Sequence, residues 1–252
     1  IPDIFKSSYR FGMNITDYTL YRPLTKAMFA AEWQLSPNNP ALSHWINVLL
    51  FALTAIVLFK VLSKFLNGQI ILPFLTTVLF IAHPIHAEVV SNIKSRDEIV
   101  TLLLCLLSAS AFYDWIKEDK TSKFLIAVLC FLASMFAKES TITFIVAIPL
   151  MFYYFTEAKP KHYIRSISAM AFCSIIFLLI RRKILSGVES EIPMIDNFIA
   201  GLPNFFLQRV NAIYMLGYYV KTLIVPYPLI ADGSYNHFKA VSATDWKFLL
   251  SL

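Results

Sequence analysis

The chain has 252 residues, of which 58% are hydrophobic and only 15% are charged, and its mean hydropathy is +0.63. Soluble domains carry roughly 25% charged residues, so an ordinary soluble domain is excluded. The formal net charge of +6 is not a nucleic-acid signal, because the bases lie mostly in short loops between apolar runs, where membrane topology and anionic lipid account for them.

In chain order, residues 1–43 are mixed in polarity. They read as a surface loop carrying a short amphipathic helix at Lys26–Leu35, and residues 44–252 read as a multi-span membrane domain. Apolar runs follow at His44–Leu66, Gln69–Ala82, Ile99–Ile116, Phe124–Phe136, Thr141–Phe155, Ile164–Ile180 and Phe205–Val225. Most are near the ~20 residues that cross a bilayer as a helix. The expected fold is therefore all-α, a polytopic membrane protein with about seven transmembrane helices. Tyr and Trp at the ends of runs suit membrane interfaces. Cys105, Cys130 and Cys173 lie inside runs without a CxxC or metal spacing and read as buried small residues. The chain opens at Ile1-Pro2-Asp3 and stops within an apolar stretch, which reads as a fragment cut at both ends.

Lys/Arg bias sets the orientation. With residues 1–43 outside, the inner loops hold Lys60, Lys64, Lys117, Lys120, Lys123, Lys159, Lys161 and Arg165. The segments 1–43, 83–98 and 138–139 then share the outer, extracytoplasmic face. Strict alternation places 226–245 inside, although Asp232-Gly233-Ser234-Tyr235 looks like outer surface; either Phe205–Val225 includes an interfacial helix or one span is misread.

The richest stretch is His83–Glu98, which packs His83, His86, Glu88, Lys94, Arg96, Asp97 and Glu98 between two apolar runs. Ionisable groups at a membrane boundary are costly unless they face water, a partner or a substrate. The HxxHxE spacing of His83, His86 and Glu88 suits a divalent metal, a phosphate-facing role, or hydrogen bonds that order a loop. Pro84 favours a bent helix end. Asp97 and Glu98 complement the dipole of the helix that follows. Arg96 offers the paired donors that suit a phosphate, or equally a lipid anchor. Lys138 and Glu139 form a mutual ion pair at a tight turn, or face an anionic lipid substrate. Arg182, within Arg181-Arg182-Lys183, either snorkels or binds an anion. Arg22 sits in the stiff frame of Tyr21 and Pro23. No P-loop, nucleophile elbow, Rossmann glycine pattern or HExxH is present.

Tyr21-Arg22-Pro23-Leu24-Thr25, His44-Trp45-Ile46-Asn47, His83–Val90, Ser95-Arg96-Asp97-Glu98 and Lys138-Glu139 occur in that order. Together they resemble the transmembrane and tetratricopeptide-repeat O-mannosyltransferases and their bacterial relatives. Arg182, Asp196-Asn197, Arg209 and the stretch Pro226–Asp232 match that family's later region more loosely. The resemblance implies a C-type glycosyltransferase fold, with the site on the extracytoplasmic face of a bacterial inner membrane or of the endoplasmic reticulum. It implies transfer of a sugar, mannose in animal relatives, from a polyprenyl phosphate to a protein or glycan hydroxyl. Arg22, His83, His86, Glu88, Arg96, Asp97, Lys138, Glu139 and Arg182 would then line the donor side. The partners expected are the polyprenyl-phosphate sugar, the acceptor and the bilayer, with no nucleic acid; no cofactor is implied beyond a possible divalent metal. The family's acidic catalytic pair is expected upstream of Ile1, since neither Asp3 nor Asp17 fits it, and its repeats are expected beyond Leu252. The rival readings are a non-catalytic membrane scaffold and a lipid-linked-sugar transporter.

Overall fold

The structure, a computed structural model, describes residues 2–9, 20–186, 198–199, 201–230 and 237–252. Asp17, Asp196, Asn197 and Asp232-Gly233-Ser234-Tyr235 lie outside the described residues. The described chain forms two compact units, one of residues 1–82 and 89–188 and one of residues 83–88 and 189–252.

The first unit is a helical bundle. Its helices are α1 (Pro23–Leu35), α2 (Pro40–Phe65), α3 (Ile71–Ala82), α5 (Arg96–Glu118), α6 (Thr121–Ala137), α7 (Phe144–Phe155) and α8 (Pro160–Leu185), and a short helix α4 (His86–Ser91) runs across the boundary between the units. Local sequence explains the ends. Proline opens α1, α2 and α8, where its missing N–H costs nothing. The Asn39 side chain caps α2 by accepting from the Leu42 N–H at 3.3 Å. Asn67 and Gly68, both at positive φ, stop α2 as Gly68 donates to the Ser63 carbonyl.

α5 is the central helix. Its apolar window is 67% buried, against 22% for α2 and 28% for α8, so α2 and α8 turn most of their surface outward as lipid-facing helices do. Small residues let α5 and α6 approach closely: Ala109 and Ala127 are buried, and the Ser108 hydroxyl donates to the Ala127 carbonyl at 2.8 Å. Around this seam Phe112 meets Trp115, Phe124 and Phe152 edge-on at 5.9–6.2 Å, a preferred aromatic geometry.

Helices stand at all seven expected apolar runs, though not all of them reach the length of a membrane span. Among the described residues three helices are long and apolar enough to cross a membrane: Pro40–Phe65, Ile93–Glu118 and Pro160–Leu185. The reason is length. α3 and α7 have 12 residues each, about 18 Å at 1.5 Å per residue, against a hydrocarbon core of about 30 Å. α9 (Phe205–Ile224) reaches 20 residues, but Gln208, Arg209, Asn211 and Lys221 interrupt its apolar character.

Polar side chains gather at both ends of the bundle. At one end Lys64 on α2 donates to Asp114 and Ser110 on α5 at 2.8 and 2.7 Å, and Lys123 on α6 lies 3.6 Å from Asp114. The other end carries the motif residues described below.

The second unit packs α9 against α10 (Trp246–Leu249) around Val210, Val241 and Phe248. The buried Asn211 amide exchanges two hydrogen bonds with the Val241 backbone, at 2.9 and 3.0 Å. Gly217 is required by close approach: a Cβ there would stand 2.2 and 2.4 Å from the Ser251 side chain and 2.9 Å from its Cα. Gly217→Ala should therefore loosen the α10 end by about 1–3 kcal/mol, the usual cost of overpacking. Ser251→Gly should recover part of that loss. Hydrogen exchange at the α9 and α10 amides reads both changes.

Candidate functional site

The motifs quoted from residues 21–25, 44–47, 95–98 and 138–139 converge on one ion-pair network at a single end of the first unit. Tyr21 packs in the core against Phe136 and Phe177, which fixes the chain just before Arg22. Pro23 then starts α1, and the Thr25 hydroxyl donates to the Ala137 carbonyl at 3.3 Å. Held on both sides, Arg22 forks onto Glu139, with Nε to Oε2 at 3.1 Å and Nη2 to Oε1 at 2.8 Å. Its Nη1 donates to Asp97 at 2.5 Å. Burial works against the Arg22 charge, but the Glu139 and Asp97 carboxylates outweigh it and raise its pKa above the usual guanidinium value. Burial likewise pushes the Glu139 carboxyl up, and the hydrogen bond from Arg22, aided by the charge of Arg181, outweighs it to leave Glu139 below the usual carboxylate range.

Arg96, one residue before Asp97, is fully buried. Its Nη1 pairs with Glu32 on α1, its Nε donates to Asn47 at 2.8 Å and its Nη2 donates to the Ser43 carbonyl at 3.0 Å. The Phe29 ring lies 4.5 Å from the guanidinium carbon. Arg96 thus ties α1, α2 and α5 together, and no face of it is open to a ligand in this arrangement. Asn47 extends the tie by donating to the Asn92 carbonyl at 3.2 Å.

Lys138 and Glu139 do not pair with each other. Lys138 reaches Glu98 on α5 while Glu139 takes Arg22. An extended Lys138 backbone (φ −158°, ψ 140°) turns the two neighbours apart. The network holds Arg22, Arg96 and Lys138 against Glu32, Asp97, Glu98 and Glu139, so it carries no excess of positive charge. Glu32 is the member that sequence reasoning missed. Its signal was an acid on the buried side of an otherwise amphipathic helix.

The remaining candidates stand differently. Arg182 is exposed near the end of α8, next to Arg181, whose charge acts on Glu139. His83, His86 and Glu88 belong to the second unit. The helix breaks at Pro84, as expected. His83 Nδ1 accepts from the Ile85 N–H at 3.2 Å and its Nε2 lies 3.0 Å from the Leu223 carbonyl. Those partners select the Nε2–H tautomer and make His83 an organiser of the loop. Burial and then the neighbouring His83 lower the His86 pKa, which favours its uncharged form. Glu88 is exposed. Among the described residues no three His, Cys, Asp or Glu side chains come together as a metal site, so the HxxHxE spacing does not gather a ligand set. Arg209 stacks on Phe205 at 4.6 Å, and Asp3 is exposed on the 3-10 turn Pro2–Lys6.

An all-helical bundle with membrane-length helices, and a polar network gathered at one end of them, defines the class as an integral membrane protein. Comparison with known proteins gives its relatives. The chain is 25% identical over 234 residues to Protein O-mannosyl-transferase F38B6.6 of Caenorhabditis elegans, which covers 90% of this chain and 32% of that protein. It is 34% identical over 128 residues to human Protein O-mannosyl-transferase TMTC2, covering 49% of this chain and 15% of the relative. Over 93 residues it is 36% identical to human Protein O-mannosyl-transferase TMTC1, covering 37% and 10%. The chain is similar to these protein O-mannosyl-transferases and spans at most about a third of their length. No family model and no solved structure matches it.

Proposed function

We propose that this chain is part of a membrane glycosyltransferase that moves a sugar from a polyprenyl-phosphate carrier to a protein hydroxyl on the extracytoplasmic face. The sugar would be mannose, by the names of the relatives. The membrane would be a bacterial inner membrane or the endoplasmic reticulum. The observation that carries this reading is the convergence of four separated motifs on one end of the bundle. A lipid-linked donor presents its phosphate at the membrane surface, and a site for it must be assembled there from several helix ends.

The network itself supplies rigidity. Its cations are committed to protein acids, so Arg22, Arg96 and Lys138 act as positioning residues that hold α1, α2, α5 and α6 in register. Arg182 is exposed and stands beside Arg181, so the phosphate contact is assigned to Arg182. A guanidinium there would stabilise the charge that develops on a phosphate leaving group. The reaction also needs a base to take the acceptor proton. The acids of the network are held in ion pairs, and that role is assigned to none of them. For His83, His86 and Glu88 a donor-side role is proposed from their motif alone.

The test is unfolding of the purified, reconstituted protein with and without polyprenyl-phosphate mannose. Donor at about one hundred times its Kd should stabilise the wild type by about 2.7 kcal/mol. Arg182→Ala should lose most of that shift while unfolding like the wild type without donor. The charge balance of the network favours a second reading, a non-catalytic membrane scaffold. Absence of a shift with any lipid-linked sugar would select it.

A further inference from the structure

α1 and α2 meet at a sharp turn, and beside the ion-pair network that turn encloses a cleft of about 340 Å3. Small-ligand sites fall within about 300–1,000 Å3. Its wall combines two aromatic rings, Phe29 and Trp33, with Glu32, Ser43 and the amide Asn38. Trp33 is 57% exposed and lines the cleft. Glu32 is nearly buried and rigid, held by Arg96 and by the Ser43 hydroxyl at 2.7 Å.

The chemistry of this lining is selective. An ionised carboxylate has about four acceptor positions. Arg96 and Ser43 occupy two of them, which leaves acceptor capacity for hydroxyl donors. The cleft is lined by one acid and no base, so its lining offers no cation to pair with a phosphate or carboxylate ligand. A cation finds Glu32 already neutralised by Arg96. What remains complementary is a neutral ligand with several hydroxyls and one apolar C–H face, the surface of a pyranose ring. The hydroxyls would donate to Glu32 and accept from Asn38, and the C–H face would lie on the electron-rich indole.

We propose that the α1–α2 cleft is a subsite for one uncharged pyranose ring, with Trp33 as its stacking platform and Glu32 as its hydroxyl acceptor. It rests on the reading of the protein as a sugar-handling enzyme. The ring is either the sugar of the lipid-linked donor or a sugar already on a glycan acceptor.

Saturation-transfer NMR of methyl α-mannopyranoside with the reconstituted protein tests it. Saturation should reach the ring C–H protons in the wild type. Trp33→Ala should weaken binding about tenfold through loss of the stacked face. Asn38→Gly, which keeps the positive φ of 54° accessible, should weaken it about fivefold through loss of one hydrogen bond. Displacement of the glycoside by the polyprenyl-phosphate sugar assigns the cleft to the donor, and displacement by a phosphate-free oligosaccharide alone assigns it to the acceptor. No transfer in the wild type, or equal transfer in both variants, overturns the subsite and leaves Trp33 a membrane-interface residue. The glycoside carries no phosphate, so its binding is independent of the donor shift measured with Arg182→Ala. A donor shift without glycoside binding rejects the cleft alone, whereas glycoside binding without a donor shift rejects the polyprenyl-phosphate reading alone.

Discussion

Arg96→Ala should destabilise the bundle by about 3–5 kcal/mol, the range for removing one partner of a buried ion pair. The side chain is fully buried and joins three helices through Glu32, Asn47 and the Ser43 carbonyl. Its loss strands the Glu32 carboxylate, which is only 10% exposed, beside an empty volume. Arg96→Lys should fall between, since an ammonium keeps the charge and loses the planar fork. Arg96→Met combined with Glu32→Gln should recover part of the loss, because the uncompensated charge is gone. Reversible unfolding in detergent measures all three. A loss below about 1 kcal/mol, the range of surface pairs, would contradict the buried geometry. Under the proposed function, reduced transfer by Arg96→Ala would report disassembly of this end of the bundle, not a lost phosphate contact.

Arg22→Ala should produce a loss of similar size, about 3–5 kcal/mol near neutral pH, with a distinctive pH dependence. Arg22 forks onto Glu139 and contacts Asp97, and removing it leaves these two carboxylates facing each other. In the wild type the folded pKa of Glu139 lies below its ordinary 4.5. Its contribution is therefore complete above 4.5 and is lost as pH falls through the lower folded value. Without Arg22 the burial of Glu139 is opposed by a backbone hydrogen bond and by the weaker charge of Arg181, and its folded pKa should rise. The deficit of Arg22→Ala should then shrink as the pH is lowered from neutral through the carboxylate range. A deficit that is constant with pH would mean that the pair contributes packing alone. A double-mutant cycle between Arg22→Ala and Glu139→Gln isolates the coupling.

Much of the fold was legible in one dimension. Helices occur at every apolar run, because a long stretch without unpaired backbone groups has to be helical in lipid. Breaks fall at Pro84 and Gly68, where the backbone leaves few choices. The candidate residues were legible as a set, since ionisable side chains between apolar runs are rare enough to stand out. Their pairing was not. Lys138 and Glu139 are neighbours in sequence and go to different helices, and Arg22 finds an acid 117 residues away. Glu32 was missed as a site residue because its role depends on α1 turning it toward Arg96. Which runs form helices of membrane length was not legible, because hydropathy marks a run as apolar without showing how much of it is helix.

What the sequence determined by itself is the class of molecule: all-helical, membrane-embedded, with its chemistry concentrated at a few helix ends. That follows from composition and from the demand that backbone groups be satisfied without water. Only the tertiary structure decided which charges are buried in ion pairs and which stand exposed. Burial and partner distance set that division, and both depend on contacts between segments far apart in the chain. Arg96 and Arg182 look alike as basic residues flanking apolar runs. One is a buried tie among three helices, and the other stands exposed near the end of α8.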